Sequence, residues 1–126
     1  MKNYDVVIVG AGPVGLATAI GLKACGIDNF VVVDQTTEFR RVGQILDLLP
    51  NGLKALKSLD HAAYEAVKQT GLDFYQKTSN SQQAKTARWI QRNFQGEEIQ
   101  SFPLNYDAWL AEYGEGRISL PWYDLQ

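Results

Sequence analysis

The stretch VVIVGAGPVGLATAIGL, Val6 to Leu22, constrains this chain more than any other. Tyr4 to Val9 is a β-branched run of strand length that meets a glycine, and its lack of polar alternation predicts a strand buried on both faces, as in a parallel sheet. Beyond the glycines the period changes. From Pro13 to Cys25 nearly every helical face is apolar, with Leu16, Ala19, Ile20, Leu22 and Ala24 distributed around it, so the helix is expected to be covered on more than one side. Gly26 is expected to stop it. FVVVD, Phe30 to Asp34, reads as a second buried strand, and two such strands joined by one helix make a right-handed βαβ unit. The expected fold class is therefore α/β, with a Rossmann-like βαβ unit for FAD or NAD(P).

Gly10, Gly12 and Gly15 form G-x-G-x-x-G between that strand and that helix, which is the context that gives the motif meaning. Each glycine has its own physical task. Gly10 permits the sharp strand-to-helix turn, Gly12 removes a Cβ so that a pyrophosphate can approach the main chain, and Gly15 lets helix and strand pack closely. The helix N-terminus then faces the phosphates and favours an anion by roughly 0.3–2 kcal/mol through its dipole. Pro13 suits the first helical turn, which needs no N–H from it. The Val14 N–H becomes the expected phosphate donor. Asp34 ends the second strand 19 residues beyond Gly15, where a carboxylate can accept hydrogen bonds from both hydroxyls of an adenosine ribose and repel a 2′-phosphate. FAD and NAD share that adenosine diphosphate half, so the local motif does not choose between them.

The rest of the chain bounds what such a unit can do. With 126 residues, 45% of them hydrophobic, the length suits one domain, 1–126. A formal charge of −2 offers no broad positive field, so neither nucleic acid nor an anionic membrane is an expected partner. One cysteine, Cys25, excludes an intramolecular disulfide and suits a reducing compartment; the N-terminal apolar run is too short for a secretory signal or a span, and a cytoplasmic location is expected. Late in an apolar helix, Cys25 reads as a buried small hydrophobe.

Downstream, QTTEFRRVGQ reads as loop, and Pro50-Asn51 opens an amphipathic helix with Leu53, Leu56 and Leu59 at helical spacing. Asp60 is the expected N-cap of a further helix through Lys68 that Gly71 ends. LDFYQK and ARWIQRNF read as strands, separated by the polar stretch KTSNSQQAKT, and QGEEIQSF suggests a hairpin turning near Gln95-Gly96. The tail from Pro103 is aromatic-rich and irregular, with a short helix expected around Ala108 to Tyr113.

From Val7 through Asp34 the apolar positions resemble the extended ADP-binding fingerprint of FAD enzymes. RRVGQILDLLPNGLKALKSLD, Arg40 to Asp60, is similar to the segment that follows the second strand in class A flavoprotein monooxygenases, the aromatic hydroxylases of the para-hydroxybenzoate and salicylate hydroxylase type. The resemblance implies FAD as cofactor, NAD(P)H as co-substrate, and a small aromatic or cyclic substrate hydroxylated or oxidised with oxygen. It places Arg41 (or Arg40) by the FAD phosphates or ribityl chain, Gly43 where backbone must make room near the flavin, and Gln126 near the ribityl chain. An arginine suits that place because it neutralises pyrophosphate charge. FQGEEIQSFPLN resembles the hairpin that covers the family's catalytic face.

The chain departs from the family at two points. Trp122 stands where the family carries an arginine, and the chain has no Asp-Gly or Gly-Asp dipeptide, so the family's later FAD-binding motifs are missing. The resemblance spans the chain but only the N-terminal portion of the family, which implies a fragment of a larger flavoprotein, incomplete relative to it, with no catalytic residue of its own and able to self-associate. Two other readings compete. One is an NAD-binding domain of another oxidoreductase; the other is a non-catalytic Rossmann-like domain acting through protein contacts.

Other constellations carry less. His61 and Glu65 stand at i,i+4, but two ligands do not make a metal site. Lys85, Arg88, Trp89 and Arg92 mix basic and aromatic groups, which strand alternation explains. Trp109, Tyr113, Trp122 and Tyr123 are expected to pack the tail.

Overall fold

A computed structural model describes residues 2–39, 41, 43–78 and 87–125. Arg40, Gln126, Lys85 and nearly all of the polar stretch ending at Thr86 lie outside the described residues. Strand β1 (Val6–Val9) and strand β2 (Phe30–Val33) pair in parallel, Val6 opposite Phe30 and Val9 opposite Val33, and helix α1 (Pro13–Ala24) joins them. Gly26, at φ +77°, supplies the left-handed turn that ends α1. This first unit follows the sequence reading in its elements but not in its burial. Ile8 is buried, whereas Val7 and Val9 are 56% and 84% exposed, and no residue of α1 is fully buried. The pair has no third strand beside it among the described residues, and Val33 is exposed with Val7 and Val9, while Val6, Val31 and Val32 are half-buried. Cys25, at the C-cap of α1, is likewise exposed rather than buried.

The fully buried core is built from side chains between residues 53 and 120. Helix α2 (Pro50–Leu59) starts at the expected proline, and helix α3 (His61–Thr78) follows after one residue. Asp60 caps α3 as expected, its Oδ1 accepting from the Ala63 N–H at 2.7 Å. Leu53 of α2 and Tyr64 of α3 pack on Ile118 and Leu120 of strand β6 (Ile118–Pro121). That strand and its antiparallel partner β3 (Ile45–Leu48) were not expected from the sequence. They pair Leu46 with Leu120 across 74 positions, a contact no local pattern announces.

Two further expectations fail in α3. Gly71 does not end the helix, and LDFYQK is its last turns rather than a strand. Gly71 is there for proximity: a Cβ would stand 2.7 Å from Ile118 Cδ1 and 2.9 Å from its Cβ, so the bare backbone lets α3 lie directly on β6. Strands β4 (Arg88–Arg92) and β5 (Glu98–Pro103) form the expected hairpin, turning at Gly96 with φ +84°. Helix α4 (Tyr106–Tyr113) is capped by Asn105, whose side chain accepts from the Ala108 N–H, and ends at Gly114 with φ +69°. A 3₁₀ turn, Trp122–Leu125, closes the described chain. No helix among the described residues is long and apolar enough to cross a membrane.

The tail aromatics pack on the hairpin. Trp89 stacks on Phe102 at 4.9 Å, Phe102 meets Trp109 edge-on, and Trp109 Nε1 donates to the Pro103 carbonyl at 2.7 Å. Arg88 and Arg92 also bond within the hairpin, to Ser101 and the Gly96 carbonyl.

Candidate functional site

The tips of β1 and β2 and the start of α1 form one surface. Gly10 leaves β1 at φ +108°, a conformation that favours glycine, and its N–H donates to the Val33 carbonyl at 2.7 Å, so the turn stays joined to β2. Gly15 is fixed by packing, because a Cβ there would overlap the Gly10 carbonyl oxygen. Gly12 differs from both. Its φ of −75° and ψ of 176° suit any residue, and a Cβ would meet only the Trp122 ring, at ordinary contact distances of 3.6 and 3.8 Å. Nothing among the described residues requires a glycine at position 12.

Gly12 is also the N-cap of α1, with no capping side chain and no acid in the first turn. Pro13 takes the first helical position, where its missing N–H costs no bond, and the first intrahelical bond runs from the Leu16 N–H to the Gly12 carbonyl at 2.9 Å. The N–H groups of Val14 and Gly15 therefore fall in the turn that has no intrahelical partners, and the Val14 side chain is exposed. This is the electrostatic arrangement that attracts an anion.

Asp34 lies at the end of β2 and is tied to the glycine loop. Its Oδ2 accepts from the Ala11 N–H at 2.6 Å, and its Oδ1 accepts from the Thr36 N–H at 2.8 Å and the Thr36 hydroxyl at 2.7 Å. The backbone hydrogen bond from Ala11, followed by the two from Thr36, holds its carboxyl down at about 2. The Gln35 backbone adds a smaller contribution of the same sign, so the carboxylate is already well supplied with donors from its own chain. Asp34 borders a cavity of about 360 Å³ whose other walls are Val9, Gly10, Val33 and Gln35. That is within the usual range of small-ligand clefts, about 300–1,000 Å³.

The loop after β2 contributes from the opposite side. Gly43, at φ +117°, is in contact with Trp122: a Cβ on Gly43 would lie 2.9 Å from Trp122 Cβ. Trp122 is held there by its own N–H, which donates to the Gln44 carbonyl at 2.9 Å and extends the β3–β6 pairing. The side of Gly43 that a Cβ would take is thus filled by the chain's own indole. Arg41 stands with Cζ 5.8 Å from the centroid of the Tyr123 ring, so it rests on the same 3₁₀ turn. From the sequence Trp122 reads as a departure from the family and as packing for the tail; its place across Gly12 and Gly43 needed the long-range β3–β6 pairing to be seen.

Outside this surface, a cavity of about 310 Å³ lies between α3 and β6, walled by Phe74, Tyr75, Tyr106 and Arg117, and contains none of the expected site residues. His61 and Glu65 sit exposed and 3.9 Å apart. Among the described residues no three or more His, Cys, Asp or Glu side chains are grouped to hold a metal.

One comparison with known proteins falls on the stretch that carries this surface. Residues 3–46, from before β1 through the Gly43 loop, match the family model of the FAD binding domain. A phenazine 1,6-dicarboxylic acid hydroxylase of Lysobacter antibioticus is 38% identical over 68 residues, 54% of this chain and 16% of that protein. An FAD-dependent urate hydroxylase of Mycolicibacterium vanbaalenii is 46% identical over 54 residues, 43% of this chain and 13% of that protein. Among solved structures, the flavin-dependent monooxygenase PieE, in complex with FAD and substrate, superposes on 98% of this chain and 21% of its own with a TM-score of 0.55 at 20% identity, a likeness of fold. The chain thus spans 16% and 13% of the lengths of those two relatives. Residues 3–46 are therefore similar to the FAD binding domain, and the chain is similar to short stretches of two hydroxylases.

Proposed function

We propose that residues 1–126 form one Rossmann-like unit that holds the adenosine diphosphate end of FAD, as part of a larger flavoprotein monooxygenase. The observation that carries this reading is Gly12. The backbone and the neighbouring side chains tolerate a Cβ there, so its bare Cα is best explained by a group from outside the chain that must come close, and a diphosphate at a helix N-terminus is such a group. In this reading Gly10 and Gly15 shape the turn and Pro13 starts the helix. The Val14 N–H donates to a phosphate oxygen, Asp34 accepts from the ribose hydroxyls, and Arg41 moves from Tyr123 to the pyrophosphate charge. Gly43 makes room for Trp122, which bounds the same space.

FAD, once bound, supplies hydride acceptance from NAD(P)H and activation of oxygen. This chain's residues bind and orient the cofactor; none of them is assigned as an acid or base. A small aromatic or cyclic substrate is supported by the two relatives, whose names give a phenazine dicarboxylic acid and urate. A larger protein is supported by the valines of β1 and β2 that face outward. A cytoplasmic setting is supported by the single cysteine.

The test is equilibrium binding of FAD, and separately of NADH, to the purified chain and to Gly12→Val. FAD at 100 times its Kd should add about 2.7 kcal/mol to the stability of the wild type, and Gly12→Val should abolish the gain. Equal FAD binding by both proteins removes the site. Stabilisation by NADH with none by FAD transfers it to the NAD reading.

A further inference from the structure

Trp122 does more than fill space beside Gly43. Its Cβ, Cγ and Cδ1 lie 2.9, 3.1 and 3.2 Å from where a Gly43 Cβ would stand, while Cζ2 and Cη2, at the far edge of the ring, lie 3.6 and 3.8 Å from a Gly12 Cβ. The indole therefore bridges the two glycines, its root packed on one and its benzo edge presented to the other. That edge is carbon only. It reaches the bare Cα of the helix N-cap, where an anion has most to gain and an apolar edge gives it nothing.

A diphosphate drawn close to Gly12 and the Trp122 benzo edge need the same volume. Resting on the FAD reading above, we propose that Trp122 is the gate of the cofactor cradle, and that FAD enters only when the indole turns away from Gly12. The backbone allows this, because the Trp122 N–H stays on the Gln44 carbonyl while the ring rotates about the side-chain bonds. The gate then sets affinity. If the open form is a fraction f of the population, the apparent Kd is the intrinsic value divided by f, so a gate closed nine-tenths of the time weakens FAD binding about tenfold.

The design of the test follows from which ring atoms touch which glycine. Trp122→Phe keeps the packing of Cβ and Cγ on Gly43 but removes Cζ2 and Cη2 from Gly12; Trp122→Ala removes the ring. FAD dissociation constants are measured by flavin fluorescence for the wild type, both variants, and each combined with Gly12→Val, with far-UV circular dichroism confirming the fold. Should Trp122→Ala fail to fold, Trp122→Phe decides. The expected result is FAD binding about tenfold tighter or more in the Trp122 variants, lost again on adding Gly12→Val. In wild type labelled with 5-fluorotryptophan, the ¹⁹F resonance absent from Trp122→Phe should shift on adding FAD. Equal or weaker FAD affinity in the folded variants overturns the gate, whatever the resonance does, and leaves the FAD site standing if Gly12→Val still weakens binding to the wild type. If neither the wild type nor the folded Trp122 variants bind FAD, site and gate fall together.

Discussion

Gly71→Ala sets two physical effects of opposite sign against each other. In the middle of an eighteen-residue helix, alanine should stabilise by about 0.8–1.0 kcal/mol relative to glycine through backbone entropy. The new Cβ, however, would stand 2.7 Å from Ile118 Cδ1, 2.9 Å from its Cβ and 3.1 Å from its Cγ1. Cδ1 can rotate, but the Ile118 Cβ is fixed to the backbone of β6, which is paired with β3 on its other side. Overpacking of this kind costs about 1–3 kcal/mol, so the net expectation is destabilisation of roughly 1 kcal/mol. Urea unfolding of the wild type, Gly71→Ala, Ile118→Val and the double variant isolates the contact. Ile118→Val removes the nearest atom, Cδ1, and alone should cost about 0.5–1.5 kcal/mol. Because it also relieves the new clash, the double variant should be more stable than the sum of the singles by at least about 0.5 kcal/mol. A stabilised Gly71→Ala, or additivity across the cycle, refutes the claim that glycine is there to bring α3 onto β6.

Gly15→Ala and Gly12→Ala should fail differently: the former melts well below the wild type because its Cβ overlaps the Gly10 carbonyl, whereas the latter keeps its midpoint and loses FAD, as thermal scans with and without FAD will show. Asp34 has a depressed carboxyl, so its contribution is present above the unfolded-state value of 3.8 and is lost as pH falls towards about 2. The stability difference between the wild type and Asp34→Ala should therefore be level above pH 4 and shrink between pH 4 and 2 in acid-titrated denaturation curves. Glu115→Gln should destabilise by roughly 1–3 kcal/mol in urea, because the buried Glu115 carboxylate accepts from Tyr64 at 2.5 Å and from the Gly116 N–H at 2.9 Å, with Lys68 at 3.8 Å. Burial alone would raise that carboxyl; the Tyr64 and Gly116 hydrogen bonds and the Lys68 charge outweigh it and hold it low. A Glu115→Gln variant as stable as the wild type shows instead that the cluster is indifferent to charge.

What could be read from the sequence was what is local. The valine run, the glycine loop, α1 with its Gly26 stop, the Pro50 start, the Asp60 cap and the Gly96 hairpin each depend on residues within a few positions of one another. The errors have a common cause in distance. LDFYQK has the aromatic, strand-length look of a β segment, but Gly71 and Leu72 are held helical by packing with β6 more than forty residues later. β3 was passed over because its apolar run is short and its partner is remote. The same holds in the site. Gly10, Gly12, Gly15 and Asp34 were found from spacing, while the occupation of two Asp34 acceptor positions by Thr36 and the reach of Trp122 across Gly43 to Gly12 arise only in three dimensions.

The outward valines of the first sheet have a practical consequence for anyone handling this chain in solution. Val9 and Val7 stand on a surface with little charge to hold copies apart, since the whole chain carries only −2. Colloidal behaviour should then follow solvent quality more than ionic repulsion: sulfate and phosphate should drive the molecules together, and cooling should loosen them, because the attraction between wetted hydrocarbon walls weakens in the cold.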